Sequence, residues 1–238
     1  MVAAIAGIQP WERRLYIPTY ALKEAASYAG VHSQTVAYWQ HGRKVMIRPG
    51  RPTLQPTIPG RRKGEQLSWL QLVEVAVVAT FRRMGMPLKV LRETHEYATQ
   101  ELKSEYPFAE YKFKTMGWNL ILSLQEVLPR AAKDVLVVTN RYGQTGWAEL
   151  LQNRFLEFEY SVDKAMVWHL GGDDAPNVAL DPRINFGAPT IEGVPVWAIA
   201  GRRAAGWDDE EIAEEFGIGV GFVTEASNFA DRFHLIAA

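Results

Sequence analysis

Glu157 and Glu159 stand two residues apart in "FLEFEY", and carboxylates so spaced share one face of a strand. Such a pair is the simplest general acid–base couple. The chemistry would need a third group, and the sequence places no His, Lys or nucleophile pattern next to them. A solvated strand face accounts for both. The five histidines, His32, His41, His95, His169 and His234, show no metal-ligand spacing. His95 has no second His four residues away and reads as a packed helix-face residue. With no cysteine, the chain has no disulfide, thiolate metal site or Cys nucleophile. No Gly-rich phosphate loop appears. The sequence therefore reads as non-enzymatic, with no metal or cofactor implied.

Charge is more informative than any catalytic pattern. Residues 1–64 carry ten basic and two acidic side chains, whereas residues 65–238 carry 16 basic and 25 acidic ones. A basic end and an acidic end suggest two different partners. The basic end contains "YALKEAASYAGVHSQTVAYWQHGRK". Ala25, Ala29, Val31, Val36 and Trp39 fall where two crossing helices bury apolar side chains, and Ala26 is small where they touch. Gly30 falls at the sharp turn between them. Ser33 is the expected cap of the second helix. Gln34, Thr35, Tyr38 and His41 then point outward, with types suited to base edges and phosphates. The run Val45–Ile47 meets the turn signal Pro49-Gly50, which predicts a hairpin wing fringed by Arg48 and Arg51. Arg43, Lys44, Arg61, Arg62 and Lys63 add phosphate-neutralising charge. The DNA-binding candidates are thus Ser33, Gln34, Thr35, Tyr38, His41, Arg43, Lys44, Arg48 and Arg51. The alternative is a solvated basic loop beside an unrelated helix pair.

Two more helices follow. Ser68 and Gln71 fit a capping box, and Leu70, Val73, Val77 and Phe81 repeat at helical spacing. Gly85 breaks the first helix, and Pro87 suits the first position of the second. From Tyr16 to about Leu102 this order resembles the DNA-binding domain of MerR-type regulators. The resemblance implies dimers bound to palindromic operators. The chain departs from it in having "AYWQHG" at Ala37–Gly42 where the family has Arg-Tyr-Tyr. It also lacks the long dimerising helix and the sensor cysteines, so metal sensing is not implied.

Residues 105–177 carry less pattern. "YPFAEYKFKTMGWNLIL" reads as a short helix and a strand, "DVLVVT" as a buried strand and "GWAELLQNRF" as the start of a helix. The segment around Ser161–Lys164 reads as a hairpin, and "GGDDAPN" at 171–177 as a loop. Together they suggest a small sheet joining the two ends.

The acidic end repeats the helix pair. With Gly217 aligned on Gly30, Ile212, Phe216, Ile218 and Val223 take the buried positions and Ala213 the small one. A helix over Val196–Ala205 precedes it, ended by Gly206, and Asp208 is the expected cap of the next. The second helix of the pair, Gly219–Asn228, has no Arg or Lys. Between Glu192 and Asp231 there are nine acidic residues and two basic ones, a balance that repels a duplex. Either protein recognition or a merely structural, solvated acidic face explains it. Val220 and Phe222 are the exposed apolar candidates for a partner.

The marks Asp181, Pro182, Arg183, Gly187, Pro189, Ile191, Gly193, Ala205, Gly206, Glu211, Ile212 and Ala213 resemble a small domain found in bacterial antitoxins. Val194-Pro195-Val196 departs from its Thr after Pro. With the MerR-like front, the chain resembles VapB-type antitoxins of VapBC toxin–antitoxin modules, in their mycobacterial two-domain form. That resemblance implies a PIN-domain ribonuclease toxin as partner and repression of the chain's own operon. PIN active sites are acidic, so Arg202 and Arg203 become toxin-binding candidates, against the alternative that both snorkel on a helix surface.

The expected fold is mainly α with small β elements. It comprises a winged helix-turn-helix over 1–104, a connecting α/β region over 105–177 and an acidic tri-helical domain over 178–238. No run of about 18 apolar residues marks a membrane span. The start lacks a basic leader and long apolar core, which gives a cytoplasmic expectation. A homodimer is expected. The competing reading is a ligand-responsive regulator with residues 105–238 as its sensor.

Overall fold

The computed structural model describes residues 9–42, 45–48, 51–53, 55–62, 64–110, 113, 155–161 and 163–233. The expected strand "DVLVVT" and most of "GWAELLQNRF" lie outside them. Seven α-helices and seven strands occur among the described residues. Helices α1 (Leu22–Tyr28), α2 (Ser33–His41), α3 (Trp69–Arg83) and α4 (Leu88–Leu102) precede the sheet. Helices α5 (Val196–Ala204), α6 (Asp209–Phe216) and α7 (Val220–Phe233) follow it. The strands are β1 (Val45–Arg48), β2 (Arg51–Thr53), β3 (Phe158–Ser161), β4 (Lys164–Gly171), β5 (Ala175–Leu180), β6 (Pro189–Ile191) and β7 (Val194–Pro195). Strands β1 and β2 form a two-stranded hairpin, and β3 to β7 a five-stranded sheet in sequence order.

The chain forms two compact units. One comprises residues 1–15, 157–159 and 166–238, and the other 16–156 and 160–165.

In the second of these units α3 is the central helix, packed against α1, α4 and the 3₁₀ turn Pro107–Ala109. The capping box forms as expected: Gln71 N donates to Ser68 Oγ and Ser68 N to Gln71 Oε1. The sequence pattern marks one apolar stripe, but α3 is buried on every side from Trp69 to Ala79. Pro87 is the residue before α4 rather than its first helical residue. This core also holds a carboxyl group. Glu74 is fully buried, accepts from Phe108 N at 2.8 Å and lies 2.9 Å from His95 Nε2. His95 is thus packed, as expected, but on a carboxylate that sequence spacing does not reveal.

The other unit has an apolar core. Val178, Ile191, Val196, Ile199, Ile212, Val223 and Phe229 meet there, all nearly or wholly shielded from solvent. Each large side chain so buried stabilises the fold by roughly 1.5–3 kcal/mol. Two expectations change here. The stretch 171–177 is no open loop: β4 ends at Gly171, one 3₁₀ turn follows, and β5 starts at Ala175. The C-terminal region is also not purely tri-helical, because β5, β6 and β7 pair antiparallel ahead of α5. Strands of three and two residues are too short to show a period.

The hairpin expected around Ser161–Lys164 is present as β3 and β4. Glu157 precedes β3, and Glu159 lies within it. Sequence showed no His beside them, yet His169 on β4 brings Nε2 to 2.7 Å from Glu159 Oε1. Cross-strand register makes that contact, not sequence distance. Glu157 instead meets the Trp168 indole N–H at 3.4 Å. The Glu159 and His169 side chains remain 63% and 38% exposed, so the pair is washed by solvent.

Candidate functional site

Two helix pairs, α1–α2 and α6–α7, are the candidate interfaces. They turn in the same way. Gly30 and Gly217 both have φ +65°, a left-handed conformation that glycine adopts without a Cβ penalty. After Gly30, Val31 N donates to Ala26 O at 2.9 Å, and Gly30 N to Ser27 O at 3.0 Å. After Gly217, Ile218 N donates to Ala213 O at 3.0 Å, and Gly217 N to Glu214 O at 3.3 Å. Both are therefore Schellman turns, which satisfy the last carbonyls of the first helix. Both first helices also carry a carboxylate at their third position. Glu24 Oε2 accepts from Ala21 N and Glu211 Oε2 from Asp208 N, each at 3.2 Å. Asp208 completes the box by accepting from Glu211 N at 2.8 Å, a bond Ala21 cannot make.

In the first pair Ala25, Ala26, Ala29, Val36 and Trp39 are buried. Ser33 does not cap α2. His32 does, its Nδ1 accepting from Gln34 N at 3.2 Å, and Ser33 is the first helical residue. An imidazole nitrogen one residue earlier reaches the free amide that the serine hydroxyl was expected to satisfy. Gln34, Tyr38 and His41 lie on one side of α2 at helical spacing, with Gln34 exposed and Thr35, Tyr38 and His41 half-buried. Helix α2 ends at Gly42, where a Cβ would collide with the Gln55 backbone. Trp39 O then accepts from Thr57 N and Ile58 N at 2.6 and 3.3 Å, tying α2 to the chain that leaves the hairpin. In the hairpin Arg48 pairs with Arg51 across the turn, as the Pro49-Gly50 signal requires. Arg43 and Lys44 lie outside the described residues.

Next to the second pair, on α5, the candidate arginines are already partnered. Arg202 makes two 2.8 Å bonds to Glu215 and sits over the Trp207 ring at 5.4 Å. Those bonds raise the Arg202 pKa and hold the Glu215 carboxyl below its ordinary range. Arg203 lies 3.2 Å from Asp209. Val220 is 41% exposed and Phe222 is half-buried. The second helix is also tied to its own unit. Both carboxylate oxygens of Glu225 are taken by Asn177 of β5, at 2.7 and 2.9 Å, and Thr224 Oγ1 donates to Asp209 at 3.2 Å.

One surface escaped the sequence reading. Asp181 is buried and accepts from the Arg183 backbone and guanidinium at 2.6–3.0 Å, which raises the Arg183 pKa. The loop that follows holds Asn185 at φ +45° and Phe186 at φ +56°, and Phe186 is 81% exposed. The Asn and Gly of "INFG" are turn signals, but nothing in the sequence says which side chain such a turn exposes. Among the described residues, no group of three or more His, Asp or Glu is arranged to hold a metal ion. No described helix is long and apolar enough to cross a membrane.

Comparison with known proteins bears on the acidic end first. Residues 178–230 match the family described as "Protein of unknown function (DUF433)". Over most of its length the chain is similar to "Putative antitoxin VapB45" of Mycobacterium tuberculosis (strain ATCC 25618 / H37Rv). The identity is 26% over 226 residues, covering 90% of this chain and 94% of the relative. In fold it is similar to the crystal structure of Rv2018 from Mycobacterium tuberculosis, with a TM-score of 0.70. That match has 24% identity over 90% of this chain and 99% of that one.

Proposed function

We propose that this chain is a VapB-type antitoxin that binds operator DNA through its basic end and a PIN-domain ribonuclease toxin through its acidic end. The carrying observation is that two helix pairs of one backbone geometry differ in charge: α1–α2 is neutral, Lys23 balancing Glu24, and is followed in sequence by the basic run Arg43 to Lys63, whereas α6–α7 is strongly acidic. In this reading α2 enters the major groove with Gln34, Tyr38 and His41 leading. Ser33 and Thr35 support it, and the hairpin with Arg43, Lys44, Arg48 and Arg51 lies on the phosphates. The α6–α7 pair keeps the same turn, but seven carboxylates between Asp208 and Glu225 would repel a duplex and suit a protein surface. The distant likeness to a chain named an antitoxin supports the toxin half. Binding as a dimer would match a palindromic operator. The protein has no catalytic role in this reading.

The test is a gel-shift titration with the DNA upstream of the chain's own gene, at several salt concentrations. Affinity should fall linearly on logarithmic axes. Alanine at both Arg48 and Arg51 should reduce the slope by about 0.9 for each phosphate that is no longer neutralised. Absence of any retarded complex at low salt would remove the operator half of the proposal. The alternative, a ligand-responsive regulator with residues 105–238 as its sensor, calls for a pocket in that segment, whereas the open cleft of about 460 Å³ beside α4 is lined mainly by residues before it, including Ile58, Arg92, His95, Glu96 and Thr99.

A further inference from the structure

The loop Arg183–Gly187 spends conformational energy to show an aromatic ring to water. A bulky residue at positive φ is strained, by about 1–3 kcal/mol in general. Phe186 takes φ +56° and still leaves its side chain 81% exposed. It has no ring partner among the described residues. The loop is nevertheless firmly built. The Asp181–Arg183 pair fixes its start, Ile184 N donates to Asp181 O at 2.9 Å, and Asn185 Nδ2 donates to Gly193 O at 2.9 Å. Beside Phe186, Ile184 is 41% exposed. Strain held by good bonds, with no return inside the chain, marks a preorganised anchor for something outside it.

Charge narrows what that something is. In the same compact unit Arg183, Arg202, Arg203 and Arg232 each have a carboxylate partner. Arg13 and Arg14 have none among the described residues. Arg14 is held at the loop by donating from its guanidinium to Arg183 O at 2.7 Å, so its charge is placed but not neutralised. An exposed aromatic beside an uncompensated guanidinium fits an apolar pocket rimmed by carboxylates. We infer that Phe186, Ile184 and Arg14 form the surface by which this chain docks its partner protein. The inference rests on the antitoxin reading and moves the contact away from Arg202 and Arg203, whose charge Glu215 and Asp209 already absorb.

The test is calorimetric titration of the full-length chain with the PIN-domain ribonuclease encoded beside it. Phe186→Ala and Arg14→Ala should each weaken binding by about tenfold or more, the range of interface anchors. Arg202→Ala with Arg203→Ala should bind as the unaltered chain does. Phe186→Gly separates binding from folding. Glycine accepts φ +56°, so this variant should lose affinity while its Tm rises by roughly 2–4 °C. A Tm that falls instead makes Phe186 a structural residue and overturns the inference. Unchanged affinity in the Phe186 and Arg14 variants overturns the surface but leaves the antitoxin reading standing. If the unaltered chain fails to bind the ribonuclease, the reading falls and the inference with it. Should Phe186→Ala turn a dimer into a monomer in sedimentation, a second copy covers the loop and the ribonuclease does not.

Discussion

The α1–α2 and α6–α7 pairs share their backbone and their buried crossing and differ at the surface. Each buries a small residue at the crossing, turns on a glycine at φ +65°, and closes with the same two hydrogen bonds. Outward, they part. Tyr38 of α2 makes no side-chain bond among the described residues. Glu225, its counterpart by the Gly30–Gly217 alignment, is held by Asn177 of β5 through both oxygens. One second helix keeps its outer residues available, while the other uses one to fasten itself to a sheet. The backbone thus follows from a few buried positions, and those positions do not decide what the surface binds.

The heaviest test of this comparison removes one buried anchor from each pair. Trp39 and Ile212 are 2% and 0% exposed. Trp39→Ala should cost about 3–5 kcal/mol and Ile212→Ala about 2–5 kcal/mol of stability, read by denaturant unfolding. Operator binding should suffer most in the first and partner binding in the second. If both variants lose both activities equally at temperatures where they remain folded, the division of labour between the pairs is wrong.

How much of the fold was legible in the sequence depends on the kind of residue. The turn glycines, the Asp208 and Ser68 caps and the β1–β2 hairpin were legible, because local backbone chemistry selects those residue types at those positions. The Asp181–Arg183 pair was visible only as a family mark, without its geometry. What escaped depends on the third dimension. Nothing in the helix pattern marks Glu74 as buried; that follows only from α4, which brings His95 to within 2.9 Å. Arg202 and Arg203 read as a free basic pair because their partners lie 13 and six residues away, across a helix turn. Strands β6 and β7 are too short for alternation to register, so the sheet beside α5 was missed. His32 displaced Ser33 as a cap because a side chain one residue earlier had the better reach.

A middle-sized test asks whether the two turns are equal in energy as well as in shape. Alanine at φ +65° costs about 1–2 kcal/mol in either place. A Cβ at Gly30 would meet Arg83 Nη1 at 3.5 Å, ordinary contact, and one at Gly217 would meet nothing within 4 Å. Gly30→Ala and Gly217→Ala should therefore destabilise by similar amounts in thermal unfolding. A difference of more than about 1 kcal/mol would mean that one turn is held by its surroundings rather than by its own glycine.

The smallest effect lies in the ion pair that ties α5 to the first helix of the second pair. Glu215 is held below its ordinary value of 4.5 by its hydrogen bonds from Arg202. A carboxylate with a depressed folded-state pKa contributes stability above its unfolded pKa and loses it as pH falls through the folded one. The pair's contribution is therefore complete at neutral pH and declines only below about pH 4.5. Both groups face water, so salt screens the contribution. Glu215→Gln should lower stability slightly at neutral pH, and that deficit should shrink towards zero along the acid limb, measured by unfolding between about pH 3 and pH 7. A deficit that persists undiminished through the acid limb would assign Glu215 a packing role in place of a charge role. The Arg202 stack on Trp207 would then hold the helices together without the ion pair.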